Sequence, residues 1–435
     1  MFDETMKTGT IVLIVKHFCC FYGCSEIVYK IQVREMNRNN YTLKTDAGIP
    51  GSVIFALAVI AGVSVANLYY NQPLLETIRQ DLDITITQSS RITLFTQVGY
   101  ALGLFFIIPL ADLVSRKKII ISNFLILLFS LMAIAVSSNI YVIHAASIVT
   151  GACSVIPQLF VPLTAQYSLP VNKERNVGII LSGLLSGILV SRVISGAVGE
   201  LWGWRTMYFI ASGLMVVSCI VILMILPPSE TNFKGRYGEL LKSIFVLYCK
   251  YPEMRIGPMR AGLMFGSFMC FWASLAFMMA EEPFCAGSDI VGLLGLCGLA
   301  GTITASTVGK YVPRYGVVKF NIAGAVMGIA AWLIFMFVGG SYVALILGII
   351  LIDIGSQFIQ LSNQSTLFRL EPSASNRINT IFMTTFFIGG ALGTFLSSFA
   401  WEYFGWTGVC ISGISLTAAS LAITLLTRKR MAGNP

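Results

Sequence analysis

The stretch Ile107-Ile108-Pro109-Leu110-Ala111-Asp112-Leu113-Val114-Ser115-Arg116-Lys117-Lys118 decides how the rest of the chain is read. It joins two apolar runs, 92–110 and 119–136, through one carboxylate and three adjacent cations. Runs of about 20 apolar residues are long enough to cross a bilayer as helices. A connector this short makes those two helices antiparallel neighbours. Its Lys and Arg place it on the cytoplasmic side. Asp112 falls where a helix leaves the hydrocarbon, a costly position for a charge without a partner. A plainer reading stays open, in which the loop is only a basic anchor on the membrane surface.

The composition agrees with the loop. The 435 residues are 56% hydrophobic and only 11% charged, with a mean hydropathy of +0.80. An average soluble chain carries roughly a quarter charged residues. This is an all-α polytopic membrane protein in contact with the lipid bilayer. The net charge of +9 comes from scattered loop residues, not from a patch suited to nucleic acid. The ten cysteines show no metal-ligand spacing, and those at Cys153, Cys219, Cys270, Cys297 and Cys410 sit inside apolar runs as small packing residues. No phosphate-binding loop, HExxH or nucleophile elbow occurs, so neither ATP-driven transport nor hydrolytic chemistry is expected, and no cofactor or metal is implied.

Twelve membrane spans are expected near 51–71, 88–110, 118–137, 140–163, 177–199, 205–226, 259–280, 288–308, 317–338, 341–362, 379–400 and 406–426. Nearly all Lys and Arg from Met36 onward fall on one side, with only Arg79, Arg91 and Arg205 on the other. That bias predicts both termini in the cytoplasm. The organisation read from the sequence is an extension over 1–50, a six-helix bundle over 51–226, a linker over 227–258, a second six-helix bundle over 259–426 and a tail over 427–435. Within the extension, 1–35 reads as an over-extended translation start, with Met36 opening the chain proper. Within the linker, 237–248 alternates apolar residues with Lys and Glu and predicts an amphipathic helix on the membrane surface.

The halves repeat. A shift of 202 residues places Arg175 on Arg377, Gly187 on Gly389, Glu200 on Glu402 and Gly203-Trp204 on Gly405-Trp406. A shift of 201 places Asp112-Leu113-Val114-Ser115 on Pro313-Arg314-Tyr315-Gly316. Six spans per half keep both halves in one orientation, a parallel repeat about an axis along the membrane normal.

With these residues in hand the chain resembles the major facilitator superfamily, over essentially 50–430. The connector resembles that family's loop between its second and third helices, G-x-x-x-D-R-x-G-R-K, in Asp112, Arg116 and Lys117. Ile108, Leu113 and Ser115 replace the first Gly, the first Arg and the second Gly. The second copy keeps Gly309, Arg314 and Gly316, with Pro313 in place of the acid. Gly183, Gly187, Arg192 and Gly196, followed by Gly203-Trp204-Arg205, are similar to the fifth-helix antiporter motif of bacterial 12-span efflux-type members. The Gly-Pro pair of that motif is absent, since Ile188 follows Gly187, and Ser147 stands where the fourth-helix motif has Arg.

The resemblance implies a monomeric transporter of the bacterial inner membrane, with its substrate between the halves against the first, fourth, seventh and tenth helices. It also implies a cytoplasmic gate at Asp112, Arg116, Lys117 and Arg377, with Asp112 set against the start of the eleventh span. In the first helix Asn67 and Asn71 share a face with Tyr70 beside them. They either line the cavity or serve as interhelical glue. Pro157 and Pro162 bend the fourth helix around Gln158. In the tenth, Asp353, Gln357, Gln360 and Gln364 recur at helical spacing. Asp353 is the one carboxylate deep in a span, and such an acid either binds and releases protons or is held structurally. Arg192, the one deep cation, either attracts an anionic substrate or balances Asp353. Glycine pairs at Gly99/Gly103, Gly183/Gly187, Gly295/Gly298 and Gly389/Gly393 predict close helix contacts on the spans that flank the gap. The functional reading is proton-coupled export of a small organic solute. Proton-coupled uptake fits the same residues, and a sensor or scaffold has no use for a carboxylate in hydrocarbon.

Overall fold

The structure, a computed structural model, describes residues 48–227, 236–338, 340–371 and 374–432. The extension up to residue 47, with the start expected at Met36, lies outside the described residues. Among the described residues eleven helices are long and apolar enough to cross a membrane, and the last of them, Ser375–Ala432, holds two spans joined at Gly405. In chain order the spans are Gly51–Leu82, Ile86–Leu110, Arg116–Val136, Ile140–Tyr167, Pro170–Trp202, Trp204–Ile225, Glu253–Ala280, Ser288–Ala305, Val317–Val338 and Tyr342–Leu370, then the two arms of the last helix. They are called spans one to twelve. The end carrying Asp112 is the basic end, and the opposite end, with Asp81 and Asp289, is the acidic end.

Three spans are interrupted, two of them beside a proline. Span one stops at Ala66, turns over 67–70 and resumes as Asn71–Leu82. Pro73 has no N–H to give the turn before it, and the Asn67 side chain bonds the Ser64 carbonyl at 3.1 Å. The span therefore runs eleven residues past its expected end, its last turns burying Leu74, Leu75 and Ile78. Span four breaks at 154–155, just ahead of Pro157. Span eight tightens into a 3-10 turn over Gly295–Gly298. Span five, by contrast, is continuous over Lys173–Trp202.

Within the first half, span one packs on five, two on four and three on six. In the second half seven packs on eleven and twelve, and nine on ten. Between halves the contacts are two with eleven, five with eight, and the end of span one with seven. Glycines set the closest approaches. Gly187 meets the backbone of Gly62, Gly103 that of Ala152, and Gly393 that of Gly266. These three glycine pairs thus close contacts inside a half, not across the gap. The 295/298 pair is different, facing Arg192 and Leu189 of the other half.

The repeat is visible in the backbone. Gly203 (φ 84°, ψ 153°) and Gly405 (φ 56°, ψ −150°) both turn a span back at the acidic end in a region closed to side chains. The linker helix Tyr237–Lys250 buries Leu240, Ile244 and Leu247 and packs on span two, span seven and the last helix, Ser375–Ala432. It thus packs across both halves at the basic end, with Phe245 and Val246 outward.

Candidate functional site

A cavity of about 800 Å³ lies between the halves. Its rim includes Asp112, Arg116 and Arg377, together with Leu240 of the linker helix. It therefore opens toward the basic end. Asp112 and Arg377 come from opposite halves, with Ser375 and Asn376 beside Arg377 on the wall formed by the start of span eleven. Burial raises the Asp112 carboxyl above the ordinary carboxylate range, opposed by the charges of Arg116 and Arg377. Arg116 also donates to Gln166 Oε1 at 2.9 Å. Lys117 takes no part in the rim, since its Nζ bonds the Leu223 carbonyl at 2.9 Å. Deeper in, a polar chain crosses between halves. Gln158 donates to Tyr100 Oη at 3.3 Å and accepts from Asn379 Nδ2 at 3.4 Å, while Gln364 donates to Asn379 Oδ1 at 2.9 Å.

The deep end holds Arg192 and Asp353, 2% and 7% exposed. The Arg192 guanidinium stacks 3.9 Å from the Trp272 ring centroid and 5.1 Å from that of Tyr69. Its Nε donates to Gln72 Oε1 at 2.9 Å. Spans five, one and seven thus meet on one cation. Its Nη2 has no hydrogen-bond partner, and neither has Asp353 Oδ2. Arg192 packs on Gly295 and Asp353 on Gly298 and Gly301, so both lie against roughly 10 Å of span eight. No ion pair within 4.0 Å joins them among the described residues.

Beyond Arg192 the halves are tied together. Gln97 Nε2 donates to Met269 Sδ at 2.9 Å and to Thr394 Oγ1 at 3.4 Å. At the acidic surface Glu200 Oε2 accepts from the Ser288 backbone N–H at 3.1 Å, and Thr87 Oγ1 donates to Glu402. Glu200 and Glu402 are the repeat-related pair, each reaching the N-terminus of a span in the other half.

Of the residues expected at the substrate, Gln158, Gln357 and Gln360 line the cavity with Asp353 and Arg192. Asn67, Tyr70 and Asn71 do not. The turn at 67–70 points them into the first bundle, where Asn67 bonds Met215 Sδ at 3.6 Å and Asn71 Oδ1 accepts from Thr93 at 2.7 Å. Val65 and Tyr69 face the cavity instead. The sequence reading missed Gln72, Trp272 and Asn379. A tryptophan in span seven facing an arginine in the apolar run of span five was the available signal for the second. No group of three or more candidate metal ligands occurs among the described residues.

Residues 55–394 match the Major Facilitator Superfamily. The chain belongs to that family. It is 33% identical to the uncharacterized transporter YgaY of Escherichia coli O157:H7, over 86% of this chain and 94% of that one. A probable transporter of Streptomyces coelicolor is 30% identical over 81% and 82% of the two chains. Among solved structures, a D323A mutant of the nucleoside transporter NupG superposes with a TM-score of 0.70 at 16% identity, covering 87% of this chain and 99% of that one. A bacterial homologue of the human lysosomal transporter Spinster, inward-facing and unoccupied, gives 0.66 at 13% identity, covering 88% and 95%. These superpositions carry the fold: twelve helices in two six-helix bundles. The chain is a multi-pass membrane transporter of this family.

Proposed function

We propose that this transporter moves a small organic solute by alternating access, coupled to protons through Asp353. The observation that carries this reading is the cavity itself, open at one end, tied shut at the other, and holding one buried acid and one buried cation with unpaired atoms. A buried polar group left unpaired is costly, so a proton and a solute are the natural partners for these two. Gln158, Gln357 and Gln360 supply further hydrogen bonds, and Asp112, Arg116 and Arg377 gate the basic mouth. The Lys and Arg bias supports a bacterial inner-membrane location with that mouth and both termini in the cytoplasm. Resemblance to efflux-type members supports export in exchange for protons. Uptake together with protons is the second reading, favoured by Arg192, which repels a cation competing for Asp353. The test is transport of a labelled compound panel by the full chain in proteoliposomes, with pH gradients of either sign. Asp353→Asn keeps size and hydrogen bonding but takes up no proton. Gradient-driven accumulation should fall to the level seen with the gradient dissipated, while solute binding stays measurable. A full response to the gradient in this variant removes Asp353 as the carrier.

A further inference from the structure

We propose that the cavity accepts a small organic monocarboxylate with an apolar body, its carboxylate pairing with Arg192 while Asp353 holds a proton. The inference rests on the transporter reading above, in its second form with solute and proton moving together, and names the substrate class of that same cavity. Three observations meet in it. The first is the guanidinium, nine-tenths buried and held in place from three sides. Trp272 and Tyr69 fix its faces, and Gln72 takes Nε. What remains for a ligand is the terminal edge, where Nη2 is unpaired. A buried guanidinium edge is a carboxylate acceptor site, because charge-assisted hydrogen bonds are roughly twice as strong as neutral ones.

The second is the balance of charge. Arg192 and Asp353 face one cavity and act on each other electrostatically. Asp353 in turn acts on the Cys297 thiol of span eight, and Tyr69 is the titratable group beside Arg192. The empty site, with both residues charged, is neutral. A monocarboxylate alone would leave one negative charge in low dielectric, and a proton from water at the mouth, bound to Asp353, removes it. Acid and proton are therefore loaded together and cross in the same direction. A cation meets the fixed charge of Arg192, and a dianion leaves a charge uncompensated.

The third is the wall. Phe265 stacks on Phe386 at 4.0 Å between ring centroids, and Tyr100 lies 4.3 Å from Phe387. All four residues line the cavity, between the polar deep end and the mouth. An acid anchored at Arg192 lays its apolar part along these rings.

The experiment measures thermal stabilisation of the purified full chain in detergent, with probes from acetate to decanoate, plus benzoate and phenylacetate, against their amides and amines. Phenylalanine is included as a zwitterion. Proton exchange is followed with a pH indicator in lightly buffered solution. The expected result is stabilisation by at least one apolar monocarboxylate, with its amide about tenfold weaker or worse, and uptake of a proton for each acid bound. Arg192→Gln should abolish the stabilisation, and Asp353→Asn should bind the acid without proton uptake. The wild-type comparison of acid with amide stands even if Arg192→Gln fails to fold. No binding by any acid in the series overturns the proposal, as does equal binding of acid and amide. Preference for an amine, or tighter binding of phenylalanine without proton uptake, also overturns it. If an amine or neutral solute is then transported under a pH gradient, the transporter reading survives. Acid binding with no flux of any labelled acid under any gradient defeats the transporter reading instead.

Discussion

Asp112 stands on the rim of the cavity between Arg116 of its own loop and Arg377 of the far wall. Because burial raises its carboxyl, it becomes neutral at a higher pH than a free aspartate. When the basic mouth closes, a charged Asp112 would meet the N-terminus of span eleven, whose free N–H groups favour an anion by about 0.3–1 kcal/mol, and up to roughly 2 when half-buried. A loss of about 1.4 kcal/mol moves a two-state population tenfold. Closure should therefore weaken as pH falls through the raised range of Asp112. Asp112→Asn should remove that pH dependence, depress transport, and raise the labelling rate of a cysteine placed at Gln360 severalfold. Unchanged labelling with normal expression would exclude the latch. Residues of this kind were legible where their position in one continuous helix sufficed. Period put Asp353, Gln357 and Gln360 on one stripe, which holds because span ten is unbroken over Tyr342–Leu370, and the family resemblance put that span beside the cavity. Asn67 and Asn71 were placed on a face by the same rule, and the turn at 67–70 defeats it. Trp272 and Gln72 gain their meaning only from Arg192, a tertiary contact that no local pattern encodes.

At the scale of single elements, the glycine pairs show what patterning reveals and where it stops. Their close contacts were readable from small residues four apart, but their partners were not, since any helix with a small facing residue fits. A side chain at Gly393 collides with the backbone of Gly266, whereas one at Gly213 meets nothing within 4 Å. Gly393→Val should cost about 1–3 kcal/mol from overpacking and lower the thermal midpoint. Gly213→Ala, in the interior of span six, should be neutral or gain up to about 1 kcal/mol from helix propensity. Equal midpoints for the two variants would contradict the packing described here. The linker helix was legible as amphipathic. That its apolar stripe packs on spans of both halves was not, because amphipathicity does not say which apolar surface receives it.

Across the whole molecule, the repeat places two carboxylate contacts at the acidic surface. Glu200 reaches Ser288, and Glu402 reaches Thr87. Both glutamates are exposed, so each contact is weak alone. Replacing both with Ala should favour opening at the acidic end severalfold, each contributing about 0.3–1 kcal/mol. Cysteine labelling at Gln97 from that side reports it, and each single variant should show about half the effect in free energy. Labelling no faster than in the parent would remove these contacts as locks. Orientation is tested at the same scale. Cysteines replacing Asp83 and Asp289 should react with an impermeant thiol reagent added outside cells, and one replacing Lys242 should not. The reverse pattern would invert the topology read from the Lys and Arg bias.

Span five carries a mechanical implication. Spans one, four and eight are jointed, but Lys173–Trp202 is one uninterrupted helix, and Arg192 and Glu200 lie on it roughly 12 Å apart along the axis. The helix is a lever with the ligand-facing cation partway along and a surface lock at its tip. Whatever draws Arg192 away from Trp272 of the other half must also swing Glu200 relative to Ser288. Loading the cavity and unfastening the far surface are therefore strokes of one rod, and they need no relay of side chains between them.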